Sequence, residues 1–145
     1  MPVIEIDTLI NASIQKCFDL SRSIDLHVHS MKHTNEVAIT GVTSGLIHLN
    51  ETVTWKAKHF GLFFTMTIKI TAIQAPDYFV DEQVKGPFKK LKHTHQFRLE
   101  NRHTLMTDIA KSDCIDPVSP VLMLSSPKIA LQQVSYGFYL TVFGG

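Results

Sequence analysis

Residues 51–108 form five successive segments in which apolar and polar side chains alternate, and this pattern restricts the fold more than any other feature of the sequence. Alternation with a period of two is typical of a β-strand with one buried and one solvent-facing side. The connections between segments are short, so neighbouring strands are predicted to be antiparallel and to form a meander. The residues predicted on the buried side include Val53, Trp55, Ala57, His59, Phe64, Met66, Ile68, Ile70, Leu91, His93, His95, Phe97 and Leu99.

The residues before this region predict one further strand and two short helices. Val3–Ile10 alternates as a strand, and Ser13 can cap a helix over Ile14–Ser21, because its hydroxyl can accept a hydrogen bond from an unpaired amide. A second short helix is predicted from Asp25 to about Met31, and a short strand over Val37–Thr40. The whole chain therefore predicts an α+β fold.

Three strings of residues resemble the START/Bet v 1-like superfamily, in particular a bacterial branch of the SRPBCC group whose members are often described as polyketide cyclases or cell-division inhibitors. The strings are W-x-A-x-H-F-G from Trp55, V-K-G-x-F from Val84 and H-x-H from His93, within a similarity that spans about residues 3–108. The resemblance implies a helix-grip fold, in which a curved antiparallel sheet wraps around a long C-terminal helix and encloses an apolar cavity.

The residues from 110 to 145 depart from the pattern of the superfamily. Pro117, Pro120 and Pro127 exclude one continuous helix, because a proline in a helix interior costs ~3 kcal/mol. Two interpretations remain open: a divergent C-terminal segment, or a frameshift near Ile109 that replaced the helix with an unrelated apolar sequence. With either interpretation, we predict one START/Bet v 1-like domain over residues 1–145.

Charge and composition exclude several classes of function. Fourteen basic and thirteen acidic residues give a net charge of +1, so no overall field attracts nucleic acid or an anionic membrane. No run reaches the ~18 apolar residues of a membrane span, and the N-terminus lacks the basic region of a signal peptide. Two cysteines do not make a disulfide framework. We expect a cytoplasmic protein without a nucleic-acid partner or stable membrane insertion, and leave a homodimer open.

The aromatic residues on the predicted inner face, together with the resemblance, indicate a small hydrophobic ligand. A lipid, a polyketide or an isoprenoid-like molecule would lie between the sheet and the C-terminal segment, in a pocket with apolar walls and a few polar groups. The alternative is that a helix covers the same residues as ordinary core. The predicted ligand-binding residues are Trp55, His59, Phe64, Met66, Ile68, His93, His95 and Phe97.

The three histidines His59, His93 and His95 are predicted on one apolar face, where they could bind zinc or act as acid–base groups. The sequence ties no carboxylate to them. Asp81 and Glu82 face opposite ways on their strand, and both are expected in solvent or paired with a cross-strand lysine such as Lys90 or Lys92. Each unpaired polar atom of a buried imidazole costs ~1–3 kcal/mol, so at least two of the rings should reach the cavity and anchor a ligand.

We therefore expect no metal and no cofactor, and assign no catalytic residue. The alternative function is an enzyme of the cyclase/aromatase type that uses the histidines. A third class, an interaction module that acts on division or stress proteins, rests only on the names given to superfamily members.

Overall fold

A computed structural model describes residues 3–30, 35–59 and 61–114, except for the side chains of Ser30, His59 and Cys114. The predicted divergent or frameshifted C-terminal segment lies outside these residues from position 115 onward. The elements in chain order are β1 (Val3–Ile10), α1 (Ile14–Ser21), α2 (Ile24–Ser30), β2 (Val37–Gly41), β3 (Thr52–His59), β4 (Leu62–Gln74), β5 (Tyr78–Lys85), β6 (Phe88–Glu100) and β7 (His103–Cys114). No helix in this described part of the chain is long and apolar enough to cross a membrane.

The described strands form one antiparallel sheet of seven strands in the order β1-β7-β6-β5-β4-β3-β2. Strands β3 to β7 form the predicted meander, and β1 pairs with β7 along its whole length. Strands β1 and β2 therefore lie at opposite edges, and the segment with α1 and α2 connects those edges. Register shifts in the β2–β3, β4–β5 and β6–β7 pairs increase the local twist of the sheet.

Helix α1 begins at the predicted cap and packs its apolar side on the sheet. The hydroxyl of Ser13 accepts a hydrogen bond from the amide of Lys16 at 3.2 Å. Phe18 is fully buried, and its ring contacts Phe79 and Phe97 edge-on, with centroids 5.8 and 5.7 Å away. The face of the sheet that carries these two rings, called the inner face below, is thus covered at this end by α1.

A two-residue turn joins β6 and β7 and fixes the register of this pair. Asn101 and Arg102 have positive φ angles of 47° and 68°, as in the tight turns that fit the twist of a β-hairpin. Glu100 consequently pairs with His103. Since the register of a hairpin follows from its turn, every inward residue of β6 has a defined partner on β7.

One residue predicted on the buried side is exposed. Leu99 retains 70% of its surface, although Phe97, two residues earlier, is buried. The prediction was wrong for Leu99 because alternation assigns a face but does not show where the covering layer stops. Leu99 lies next to the turn at the end of β6.

The packing of Phe18 leads to a prediction about stability. We expect Phe18→Ala to lower the free energy of unfolding by ~3–5 kcal/mol, because a fully buried ring is removed and a cavity remains. Urea denaturation followed by circular dichroism measures the change. Phe63→Ala is the matched control, since Phe63 is 61% exposed, and should cost less than ~1 kcal/mol. Equal losses in the two variants would contradict the described packing.

Candidate functional site

Four titratable side chains from three adjacent strands meet on the inner face. Asp81 of β5 lies opposite His93 of β6, and His95 of β6 lies opposite Asp108 of β7. Residues two apart on a strand share a face, so both histidines point to the same side of the sheet. We call Asp81, His93, His95 and Asp108 the inner-face cluster.

His95 lies at the centre of the inner-face cluster, between the two carboxylates. Its Nε2 is 2.9 Å from Oδ2 of Asp81, and its Nδ1 is 2.8 Å from Oδ1 of Asp108. The three side chains are 11%, 12% and 3% exposed, respectively. An ionised carboxylate can only accept hydrogen bonds, so two such partners favour the imidazolium form, with a proton on each ring nitrogen.

His93 has fewer hydrogen bonds than the other members of the cluster. Its ring lies on that of His95, with centroids 3.8 Å apart. Its Nε2 is 3.3 Å from Oδ1 of Asp108, but within the described residues this buried atom has no hydrogen-bond partner of good geometry. Its Nδ1 is 4.0 Å from Oδ2 of Asp81, and the side chain is 18% exposed. His93 is therefore the member best able to bond to another molecule.

Burial and pairing act in opposite directions on the pKa values of the cluster. Burial lowers the pKa of His95, but hydrogen bonds to Asp108 and Asp81 and their negative charges outweigh it and raise this pKa to about 9. Burial raises the pKa of Asp108, yet the contacts with His93 and His95 hold it well below its usual range. Burial likewise opposes ionisation of Asp81, but the hydrogen bond from His95 and the nearby histidines lower its pKa.

Aromatic rings lie beside imidazoles in two places on the inner face. Phe79 stacks on the ring of His95, with centroids 4.2 Å apart and planes inclined by 17°. On the part of the sheet formed by β3, the ring of Trp55 lies 4.2 Å from that of His27, whose Nε2 is 2.6 Å from Oε1 of Glu36. The inner face thus combines buried aromatic surface with two places where imidazole and carboxylate groups meet.

The predicted ligand-binding residues lie on β3, β4 and β6. Trp55 and Phe97 are buried, and the side chains of His93 and His95 are turned inward as predicted. The side chain of His59 is outside the described residues. The half-buried members are Phe64, Met66 and Ile68. Contact with a ligand stays a prediction for the whole set.

Sequence reasoning missed Asp81 and Asp108. We expected Asp81 in solvent or paired with a lysine, and no carboxylate beside the histidines; both expectations are wrong, because Asp81 and Asp108 are buried against His95. Two features of the sequence could have located them. Asp81 follows the buried Phe79 by two positions, and a two-residue turn at Asn101-Arg102 would have placed Asp108 opposite His95.

Comparisons with known proteins identify the fold. No protein-family model matches the chain, and no curated protein matches it in sequence. Ginseng major latex-like protein 151 from Panax ginseng superposes with a TM-score of 0.68 at 16% identity, over 97% of this chain and 96% of that chain. Ara h 8.0201 gives a TM-score of 0.75 at 12% identity, over 99% of both chains. TTHA0849 from Thermus thermophilus gives 0.71 at 12% identity, over 98% of this chain and 99% of that chain.

The chain has an α+β helix-grip fold, as the sequence resemblance implied. At identities of 12–16%, the similarity concerns the architecture. The function therefore has to be argued from the inner face itself.

The raised pKa of His95 predicts a specific pH dependence. In chelator-treated protein, we expect His95 to stay protonated at pH 8 and to titrate near pH 9, which NMR of the imidazole nitrogens can measure. Asp108→Asn removes one of the two charges and should lower this midpoint. A midpoint of ~6.5, as in a free histidine, would contradict the described pairing.

The raised pKa of His95 also predicts how the free energy of unfolding changes with pH. Because the pKa of His95 is higher in the folded chain than in the unfolded chain, its contribution is fully present below pH ~6.5 and is lost as the pH rises through about 9. We expect the free energy of unfolding to fall by about 3 kcal/mol over this range from His95. Urea denaturation at several pH values should show a smaller fall in Asp108→Asn, and equal slopes would contradict the assignment.

Proposed function

We propose that the protein binds a small hydrophobic molecule with one polar group, whose apolar body lies on the inner face of β3 and β4 and whose polar group meets the inner-face cluster. The observation that carries the proposal is one compact group of four titratable residues on the same face as the apolar pairs of β3 and β4. Binding sites for small molecules commonly combine apolar walls with a few placed polar groups.

The apolar wall is built by cross-strand pairs of β3 and β4. Met66 and Ile68 pack against the buried core but keep part of their surface accessible, unlike Val53, which is fully buried. Accessible apolar surface on a concave face gains free energy when another apolar group covers it, at ~25 cal/mol per Å². The paired residues are Val53 with Ile68, Trp55 with Met66, and Ala57 with Phe64.

His93 is the group that would bond to the polar end of the ligand. Its Nδ1 lies 4.0 Å from Oδ2 of Asp81, beyond hydrogen-bond distance, whereas both nitrogens of His95 are taken by carboxylates. A ligand carbonyl can accept a hydrogen bond from a protonated ring nitrogen, and a ligand hydroxyl can donate to an unprotonated one. Lipids, polyketides and isoprenoid-like molecules all offer an apolar body with such a group.

One observation favours a second function, acid–base catalysis on a carbonyl compound in the manner of a cyclase or aromatase. Asp108 contacts both imidazoles, at 2.8 Å from Nδ1 of His95 and 3.3 Å from Nε2 of His93. A carboxylate that orients an imidazole and stabilises its protonated form is a recurrent feature of general-base histidines. In this function, His93 would take a proton from the carbon next to the ligand carbonyl.

Fluorescence of Trp55, the single tryptophan of the chain, can test the binding function. We expect methyl nonyl ketone and undecanol to bind about tenfold more tightly than undecane, because one hydrogen bond to His93 adds ~1.4 kcal/mol. His93→Leu should retain undecane binding and remove the difference. The control Thr94→Val alters the next residue of β6, on the other face, and should preserve it. Absence of any fluorescence change and any thermal shift with all three compounds would refute the proposal.

Exchange of hydrogen for deuterium next to the carbonyl of methyl nonyl ketone tests the catalytic function. If His93 removes this proton, wild-type protein in heavy water accelerates the exchange seen by NMR, and His93→Leu does not, although the ketone still binds. Thr94→Val is again the control. Tight binding of the ketone without faster exchange would eliminate catalysis at this carbon and leave the binding function standing.

A further inference from the structure

We infer that the inner-face cluster binds a divalent transition-metal cation such as zinc, with Asp81 Oδ2, His93 Nδ1 and His95 Nε2 as ligands and Asp108 as the carboxylate that orients both imidazoles. The inference goes beyond the proposed function, since it needs no apolar ligand. It also revises the expectation from sequence, which was that the histidines bind no metal.

The donor atoms are close to the spacing that a metal ion requires. One donor atom from each of Asp81, His93 and His95 lies within 4.8 Å of the other two. Oδ2 of Asp81 is 2.9 Å from Nε2 of His95 and 4.0 Å from Nδ1 of His93. Neighbouring donors in a tetrahedral zinc site are about 3.3 Å apart, from bonds of ~2.0 Å. Relative to this spacing, the first distance is about 0.4 Å too short and the second about 0.7 Å too long.

Asp108 occupies the place of an outer carboxylate in a metal site. It lies against Nδ1 of His95 and Nε2 of His93, the ring nitrogens that are not proposed as ligands. Histidines that bind metals almost always donate from their second nitrogen to a carboxylate or carbonyl, which fixes the tautomer and the ring orientation. Asp108 alone contacts both rings, and Nδ1 of His93 and Nε2 of His95 lie on the side of Asp81.

The charges of the cluster suit a divalent cation. A metal bound at Nε2 of His95 displaces the proton on that nitrogen, so both imidazoles are then neutral. The two buried carboxylates carry two negative charges, which an ion of charge +2 balances. Two imidazoles and one carboxylate form a ligand set typical of zinc or ferrous iron, and three protein ligands leave a position open for water or a polar ligand. Among the residues that the structure describes, this is the one set of three or more such side chains with donor atoms so close together.

Metal titration of the full-length protein tests the inference. After treatment with a chelator, calorimetry with zinc should give one equivalent per chain, and cobalt(II) should give the visible absorption of a four- or five-coordinate site with nitrogen and oxygen donors. We expect Asp81→Asn and His93→Gln to weaken zinc binding at least 100-fold. Asp108→Asn should weaken it by about 10–100-fold and keep the stoichiometry, as changes to outer carboxylates do. Glu82→Gln, the next residue on the opposite face, is the control and should bind as wild type.

Unchanged zinc binding in both Asp81→Asn and His93→Gln would overturn the inference, and so would wild-type protein that binds no zinc. Circular dichroism shows whether each variant folds. For a variant that does not, wild-type protein labelled with ¹⁵N-histidine gives the answer: zinc should shift the imidazole nitrogens of His93 and His95, and unshifted resonances would refute the site. These tests use the metal alone, whereas the ligand titrations are done with chelator present, so failure of one proposal is distinguishable from failure of the other.

Discussion

The buried imidazole of His95 requires two buried carboxylates on neighbouring strands, and much of the structure depends on this requirement. A charge in the protein interior is tolerated only when its partners are buried with it. Removal of one partner of a buried ion pair typically costs about 3–5 kcal/mol. Asp81 and Asp108 meet the condition from β5 and β7, at 2.9 and 2.8 Å from the two ring nitrogens. A slip of any of these strands by one residue would turn its member of the cluster to the outer face, so the charges specify the register of the central sheet.

Because the buried charges are confined to β5–β7, the inner face has two chemically different regions. The β3 and β4 region offers apolar pairs, whereas the β5–β7 region offers fixed charges next to the ring of Phe79. His93 differs from both regions. Its side chain faces inward, but it lacks the two close carboxylate partners of His95. The proposed ligand anchoring, proton transfer and metal binding all depend on one arrangement, in which a single carboxylate, Asp108, contacts both rings.

The parts of the fold predicted from sequence are those set by local chemistry. The period of two gave β1 its bounds and placed His93 and His95 inward, and the cap at Ser13 gave the start of α1. The burial of Asp81 was not evident, because its partner His95 is 14 residues away and only the pairing register brings them together. The predicted strand region ends at Asp108, whereas β7 continues to Cys114 because the residues there still pair with β6.

The pairing of β1 with β7 has a consequence for how the chain folds. These strands are the first and last that the structure describes, and their paired residues are roughly a hundred positions apart in the sequence. On the ribosome, β1 therefore emerges long before its partner exists, with a row of unpaired amides and carbonyls along its edge. Its closure onto β7 is a late, non-local step with a high entropic cost, and such sheets fold slowly compared with locally connected ones. The inner-face cluster is completed only when β7 arrives, since Asp108 is on that strand.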